Sequence, residues 1–127
     1  MLTQEQIEDW QQSEEYYTTK GVNSLDFNTY QTKAVETAIY PSTAQVVYPA
    51  MGLANEAGEV LGKVKKIIRD GTYNREDIAA ELGDVLWYAA ALARDLNVDL
   101  STIAQMNLDK LSDRKARGKL QGSGDKR

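Results

Sequence analysis

The sequence predicts an all-α protein, a helical bundle of about four to five helices that is completed by oligomerisation. Apolar residues recur at intervals of three and four along most of the chain, which is typical of helices that bury one face. Capping residues and helix breakers divide these stretches into separate helices. Runs of alternating apolar and polar residues, which would indicate strands, are nearly missing.

The first predicted helix is short and polar. Thr3 followed by Gln6 is a capping-box pattern, and the helix is expected to continue to about residue 17, followed by a loop at residues 21–25. The N-terminus has no charged segment followed by an apolar one, and no run of about 18 apolar residues occurs in the chain. We therefore expect a cytoplasmic protein with no membrane partner.

The second and third predicted helices are separated by a proline. The second covers residues 26–39 and is capped by Asp26 or Asn28. It is expected to end there because Pro41 disfavours helical backbone in the residue that precedes it. The third begins at Ser42 and extends to about residue 69, with a bend at residues 48–52. Its apolar residues follow one stripe, formed by Leu53, Ala57, Val60, Leu61, Val64, Ile67 and Ile68.

Two further helices complete the predicted bundle. The fourth begins after the capping pattern of Asn74 and Asp77 and continues to about residue 96. Because it is apolar on nearly every side, it is expected to be the central helix, with Trp87 and Tyr88 in the core. A fifth helix is expected after a cap at Asp99 or Ser101 and ends before residue 118. Its inward-facing residues are expected to be Ile103, Met106, Leu108 and Leu111.

Two pairs of carboxylates, Glu56/Glu59 and Glu81/Asp84, occur within the third and fourth predicted helices. Residues three apart share one helix face, with Cβ atoms roughly 5–6 Å apart, so each pair can present two carboxylates to one point. A turn-forming run at residues 70–74 lets the fourth helix double back on the third. The two pairs can then face each other and bind a hard divalent cation.

The composition excludes the competing kinds of site. The chain contains no histidine and no cysteine, which rules out zinc sites with nitrogen and sulfur ligands and nucleophiles activated by histidine. A di-iron bundle would also need histidine. Oxygen ligands alone favour Mg²⁺, Mn²⁺ or Ca²⁺.

The charge distribution favours a small anionic ligand. The net charge of −4 argues against a nucleic-acid partner, because a polyanion would be repelled. Basic residues are nevertheless concentrated from residue 110 onward. Two simpler interpretations remain: Glu56 and Glu59 can form a solvated helix face, with Glu59 paired to Lys63, and the basic end can complement a helix dipole.

Residues 52–60, Gly-Leu-Ala-Asn-Glu-Ala-Gly-Glu-Val, and residues 81–86, Glu-Leu-Gly-Asp-Val-Leu, carry a family resemblance. They resemble the paired E-x-x-E and E-x-x-D signature of the MazG-like, all-α nucleoside triphosphate pyrophosphohydrolases of the small bacterial and phage type. The resemblance covers roughly residues 26–127. In one departure, Asn55 stands where many members have a glutamate. The implied organisation is a single MazG-like domain over residues 1–127, with a peripheral N-terminal helix and loop (1–25) and a flexible basic tail (118–127).

The resemblance implies an enzymatic function. Members hydrolyse a (deoxy)nucleoside triphosphate to the monophosphate and pyrophosphate with Mg²⁺ or Mn²⁺, which serves nucleotide-pool control. Glu56, Glu59, Glu81 and Asp84 are the implied metal ligands and catalytic residues, with Glu56 as first candidate for the general base. The alternative is a non-catalytic helical interaction module whose acidic site binds a structural cation or a basic partner.

The nucleotide substrate and a second chain are the expected partners. Lys63, Lys110 and Arg114 are candidate phosphate contacts, and Asn107 lies on the same face as the latter two. For the base we expect contacts from Trp10, Tyr30 and Gln31. A homodimer or homotetramer is expected, because the polar first helix cannot cover the apolar third and fourth helices and because the family packs its helices between chains.

Overall fold

The computed structural model of the chain describes residues 3–12, 25–72 and 74–124, with backbone only for residues 10–12. Within these residues it contains five α-helices and no strand, which confirms the all-α prediction. The helices are α1 (Gln4–Gln12), α2 (Phe27–Val35), α3 (Val47–Asp70), α4 (Arg75–Asp95) and α5 (Leu100–Ala116), and a single 3₁₀ turn (Ser42–Ala44) precedes α3.

The start of α1 has the predicted capping box. The Thr3 amide donates to Gln6 Oε1 at 2.9 Å, and the Gln6 amide donates to Thr3 Oγ1 at 3.2 Å. Residues 13–17 of the predicted first helix and most of the predicted loop at residues 21–25 lie outside the described residues.

Helix α2 begins as predicted but ends earlier. The Asp26 carboxylate caps it by accepting a hydrogen bond from the Thr29 amide at 2.7 Å, which lowers the pKa of Asp26. The prediction that the helix continues through Ile39 was wrong. The Ala34 carbonyl accepts from both the Thr37 amide and the Thr37 hydroxyl, so the last turn tightens and the helix ends at Val35.

The predicted start of the third helix at Ser42 was also wrong, because the chain makes two turns before α3. After the 3₁₀ turn, Val46 has φ 67° and ψ −52°, and the Val47 amide donates to the Gln45 carbonyl at 2.7 Å. This is a γ-turn of the rare strained form, in a β-branched residue that normally avoids positive φ. The helix therefore begins at Val47, and Pro49 lies in the first turn, where its missing N–H costs nothing.

The fully buried Asp95 side chain holds this strained turn. Its Oδ2 atom accepts from the Val46 amide at 2.9 Å and from the Tyr40 hydroxyl at 2.8 Å, and Arg94 pairs with Oδ1 at 2.9 Å. Burial alone would raise the pKa of Asp95, but these hydrogen bonds outweigh it and hold the pKa below its ordinary value. The carboxylate thus joins the end of α4 to the start of α3.

Helix α4 is the central helix, as predicted, and packs against α2, α3 and α5. Its contact with α3 is close at Gly52, where an added Cβ atom would overlap the Tyr88 ring. A glycine at this point lets the aromatic ring lie directly on the α3 backbone. The same antiparallel pairing brings Glu56 to Asp84 and Lys63 to Glu81 further along the two helices.

Side chains from α2 organise the start of α5. Asp99 occupies the predicted N-cap position, but its side chain makes no capping hydrogen bond. Instead Gln31 Oε1 accepts from the Leu100 amide at 2.9 Å, and Asn28 Oδ1 accepts from the Ser101 amide at 3.2 Å. These first amides of α5, which have no acceptor within the helix, are thus satisfied by a neighbouring helix rather than by a local cap.

The core lies between α2, α4 and the start of α5. It is built from Ala90, Ala93 and Leu100, with Tyr30 and Ala34 packed against it. The predicted inward positions on α5 were wrong, since all four of these side chains are exposed: Ile103, Met106, Leu108 and Leu111.

No helix in the described part of the chain is long and apolar enough to cross a membrane.

The predicted single stripe on α3 is divided between two faces. Ile67 is buried, whereas Leu61 and Ile68 are 69% and 64% exposed. At about 100° per residue, Leu61 and Ile68 share the face of α3 opposite Glu56 and Lys63. The outer face of α3 therefore carries apolar side chains, Leu61 and Ile68, that the described residues leave uncovered.

Replacing Gln31 by methionine is expected to destabilise the fold. The buried amide also donates to the carbonyls of Ala90 at 3.3 Å and Val98 at 3.1 Å, so its loss leaves buried backbone groups unsatisfied. We expect the free energy of unfolding to fall by about 2 kcal/mol or more in urea denaturation. The control Gln105→Met removes an exposed amide that donates to Asp109, and it should change the free energy of unfolding by less than about 0.5 kcal/mol. Equal effects of the two changes would contradict this assignment.

Two glycines of α3 are expected to respond oppositely to alanine. A methyl group on Gly52 meets the Tyr88 ring, so Gly52→Ala should lower the free energy of unfolding by about 1–3 kcal/mol. At Gly58 nothing lies within 4 Å of an added Cβ among the described residues, so Gly58→Ala should raise it by about 0.5–1 kcal/mol through helix propensity. Thermal and urea denaturation of both variants measure this; a stabilised Gly52→Ala would contradict the close packing.

Candidate metal and nucleotide site

The turn between α3 and α4 brings the two carboxylate motifs together, as predicted. Gly71 ends α3 in the left-handed conformation (φ 68°), and its amide donates to the Ile67 carbonyl at 2.9 Å. Asn74 then caps α4, and its Oδ1 accepts from the amides of Glu76 at 3.0 Å and Asp77 at 3.2 Å. This short connection makes α3 and α4 antiparallel neighbours.

Three of the four predicted carboxylates form a cluster. One oxygen atom each from Glu56, Glu81 and Asp84 lies within 4.8 Å of the others. Glu56 and Glu81 are half-buried, whereas Asp84 is exposed. Glu59 is exposed and does not belong to this group in the described part of the chain.

Lys63 lies at one end of the cluster. Its ammonium group is 3.3 Å from Glu81 Oε1, with side chains 28% and 18% exposed. Asn55, the departure from the family signature, is exposed and donates a long hydrogen bond of 3.4 Å to Glu56 Oε1. The cluster therefore has one lysine against three carboxylates, which leaves it net negative and suited to a cation.

An open cavity of about 400 Å³ lies at the other end of the cluster and is lined by Glu56, Asp84, Trp87 and Tyr88. The prediction that Trp87 and Tyr88 belong to the core was wrong, because both are only half-buried and face this cavity. The sequence did contain an indication that these two residues belong to the site. They follow Asp84 by three and four residues, which places them one turn further along the same side of α4.

The Trp87 ring is fixed in orientation. Its indole N–H donates to the Ala34 carbonyl at 3.0 Å and to Thr37 Oγ1 at 2.8 Å. The ring also meets Tyr88 edge to face, with centroids 4.9 Å apart and an interplanar angle of 85°. Both contacts hold the indole against the end of α2 beside the carboxylates.

Tyr88 joins the cavity to the start of α3. Burial raises the pKa of the Tyr88 hydroxyl, and its hydrogen bond with Tyr48 and the negative charges of Glu56 and Asp84 raise it further. Tyr48 in turn stacks on Tyr40 with ring centroids 5.0 Å apart. A continuous set of aromatic contacts thus connects the carboxylates to the segment before α3.

The predicted base contacts from α2 have different surroundings. Tyr30 lines a separate, mostly apolar cavity of about 320 Å³; its pKa is raised by burial and by the charge of Asp84. The buried Gln31 amide is engaged with the backbone of α4 and α5, as described above. The side chain of Trp10 lies outside the described residues.

The predicted phosphate contacts on α5 lie away from the lining of the carboxylate cavity as the described residues form it. Asn107 and Lys110 are exposed, whereas Arg114 is buried near the end of α5. Of the predicted phosphate contacts, the structure brings only Lys63 to the carboxylates within the described residues.

The donor set of the cluster fits a hard divalent cation. All three groups are carboxylates, they come from two facing helices, and their oxygen atoms already lie close enough to share one ion. Mg²⁺ and Mn²⁺ prefer such oxygen ligands, and Mg²⁺ typically uses a few carboxylates together with substrate phosphates.

Comparison with known proteins agrees with this geometry. The MazG nucleotide pyrophosphohydrolase domain matches residues 49–118, which include both carboxylate motifs, Trp87 and all of α5. The chain is also 52% identical over 109 residues to the Gene 37 protein of Mycobacterium phage L5, covering 77% of this chain and 96% of that protein. No solved structure matches the chain. The chain belongs to the MazG nucleotide pyrophosphohydrolase family.

Proposed function

We propose that this protein hydrolyses a (deoxy)nucleoside triphosphate to the monophosphate and pyrophosphate, dependent on Mg²⁺ or Mn²⁺, and that it serves nucleotide-pool control in the cytoplasm. The observation that carries the proposal is the convergence of Glu56, Glu81 and Asp84 within 4.8 Å, inside the segment that matches the family. A single domain over residues 1–127, with residues 1–25 peripheral and residues 118–127 a flexible tail, remains part of this proposal.

Glu56, Glu81 and Asp84 would hold the metal, and Glu59, on the same helix as Glu56, would complete the set. A divalent ion held by these carboxylates would neutralise charge on the triphosphate and would supply an activated water. Glu56 is half-buried at the cavity and can accept the proton of the attacking water. The water oxygen forms a bond to the α-phosphorus, and the bridging oxygen leaves with pyrophosphate.

The phosphates are proposed to lie toward Lys63, which is already held at the cluster by Glu81. A triphosphate arriving there would share the lysine with Glu81. Lys110 and Arg114 are proposed as further phosphate contacts and Asn107 as a sugar or base contact; Tyr30, Gln31 and Trp10 remain candidates near the base.

Neutral variants of the cluster are expected to lose activity while keeping the fold. Glu56→Gln, Glu81→Gln and Asp84→Asn each remove one charge needed for the cation, so we expect pyrophosphate release to fall about 100-fold or more. Stability should not fall, because each change also relieves repulsion among the carboxylates. The matched control Glu76→Gln, in the first turn of α4 and outside the cluster, should retain activity near that of the unmodified protein.

The position of cleavage is checked in the same assay. In ¹⁸O-labelled water, attack on the α-phosphorus places the label in the monophosphate, and pyrophosphate stays unlabelled. A label in pyrophosphate, stepwise release of orthophosphate, or a fully active Glu81→Gln variant would contradict the proposal, as would no release from any common nucleotide with either metal.

We also propose that the chain assembles with further copies of itself, as a homodimer or as a homotetramer built from two dimers. The buried apolar residues of the described part are mainly alanines, whereas Leu61 and Ile68 form an uncovered apolar face on α3. A second copy supplies a matching apolar face by symmetry, which is the simplest way to bury this one.

Light scattering at micromolar concentration is expected to give at least twice the 14.2 kDa mass of the chain. The double variant Leu61→Gln, Ile68→Gln should shift the mass toward the monomer because it makes the α3 face polar. The control Leu120→Gln changes an exposed leucine outside the helices and should leave the mass unchanged. A monomeric mass for the unmodified chain would overturn this proposal.

A further inference from the structure

The carboxylate cluster has a direction along α4. Lys63 pairs with Glu81 at one end, Asp84 lies one turn further along, and Trp87 follows after another turn. Each step of three residues advances about 4.5 Å along the helix axis. Along α4, the site therefore begins at the Lys63 ammonium group, continues with the carboxylates and ends at the aromatic side chain of Trp87.

A nucleoside triphosphate has the same order of chemistry, from anionic phosphates to a neutral, flat base. Phosphates are repelled by Glu56 and Asp84 unless a metal ion lies between, and they are attracted by Lys63. The aromatic end of the cavity is lined by Trp87 and Tyr88, and no cationic residue is among the described residues that line it. That end suits the base rather than the phosphates.

We propose that the nucleobase of the substrate stacks on the Trp87 ring, with the phosphates directed toward Lys63. This inference rests on the proposed function and adds the binding orientation and the residue that holds the base. The cavity of about 400 Å³ is within the size range of small-ligand sites.

The indole is prepared for stacking before any ligand binds. Its N–H is satisfied by Ala34 and Thr37 at 3.0 and 2.8 Å, so the ring need not turn to find partners. Tyr88 supports it edge to face at 4.9 Å. A ring already fixed in orientation loses little conformational entropy on binding, and stacking tolerates any base because each has a flat aromatic face.

The test separates the base from the phosphates. Binding is measured by calorimetry with Mg²⁺ for two probes: the α,β-methylene analogue of the dNTP that binds most tightly, which cannot be cleaved to pyrophosphate, and inorganic tripolyphosphate, which has no base. Trp87→Leu should weaken binding of the analogue at least about fivefold and leave binding of tripolyphosphate unchanged. Trp87→Phe keeps an aromatic face and should lose less than Trp87→Leu.

A second measurement does not depend on the leucine variant folding. Trp10→Phe leaves Trp87 as the single tryptophan, since the chain has two. The analogue should then quench or shift the Trp87 emission, and tripolyphosphate should not. In steady-state kinetics, Trp87→Phe and Trp87→Leu should raise KM more than they lower kcat, because stacking is equally present before and during the reaction.

An unchanged affinity of Trp87→Leu for the analogue would overturn the proposal, as would an equal loss for both probes or equal emission changes with both. These outcomes differ from failure of the proposed function. If the unmodified protein releases pyrophosphate but Trp87 variants bind the analogue normally, only the stacking proposal fails. If the unmodified protein hydrolyses no nucleotide, the proposed function is wrong, and the stacking proposal, which rests on it, is overturned with it.

Discussion

The close antiparallel packing of α3 against α4 is the constraint on which the rest of the structure depends. It holds the side chains of Glu56, Glu81 and Asp84 together, although their charges repel. At about 5 Å each pair costs roughly 1 kcal/mol in water and several times more where the dielectric is lower. The helices must supply that energy elsewhere. Gly52 does so by letting α3 approach the Tyr88 ring, which increases packing contact at the end nearest the cavity.

Hydrogen bonds from two side chains of α4, Asp95 and Trp87, help to hold the α3–α4 pair in place. Asp95 at the end of α4 binds the amide of Val46 and fixes the strained turn from which α3 starts. Trp87, two turns before Asp95 on α4, binds the end of α2 through its indole N–H. Both use a buried or half-buried side chain of α4 to satisfy backbone groups in a preceding segment. The positions of α2 and α3 are thus both set by α4, which also carries two of the three clustered carboxylates, Glu81 and Asp84.

Local signals in the sequence were sufficient for much of the fold. The Thr3 capping box, the Asp26 and Asn74 caps and the turn before α4 depend on neighbours within a few residues, and the structure has them as predicted. The early end of α2 was missed although Thr37, which ends it by bonding to the Ala34 carbonyl, is a local residue. The start of α3 was missed because the γ-turn at Val46 depends on Asp95, 49 residues away. A valine gives no local indication of positive φ.

The carboxylate cluster could be predicted because helical spacing and a reversing turn are enough to bring two motifs together. The aromatic end of the site was not predicted, because Trp87 and Tyr88 look like core residues in an apolar helix. Their spacing after Asp84 places them beside the carboxylates, but that they face a cavity rather than the core depends on the tertiary arrangement. Gln31 presents the converse case. The sequence led us to expect a base contact from Gln31, whereas its structural role depends on three backbone partners, Ala90, Val98 and Leu100, that are 59–69 residues away in sequence.

The small side chains of the core and the hydrogen bonds between the helices are related. Ala90 and Ala93 bury little apolar area, but their small size lets α2 approach α4 closely enough for Gln31 to reach the Ala90 carbonyl and for Trp87 to reach Ala34. Hydrogen bonds contribute geometry more than stability, because each replaces one to water. Among the described residues, these connections fix the site while the buried core contributes little apolar area. The exposed Leu61 and Ile68 side chains of α3 are the surface on which the second copy proposed above would add to stability.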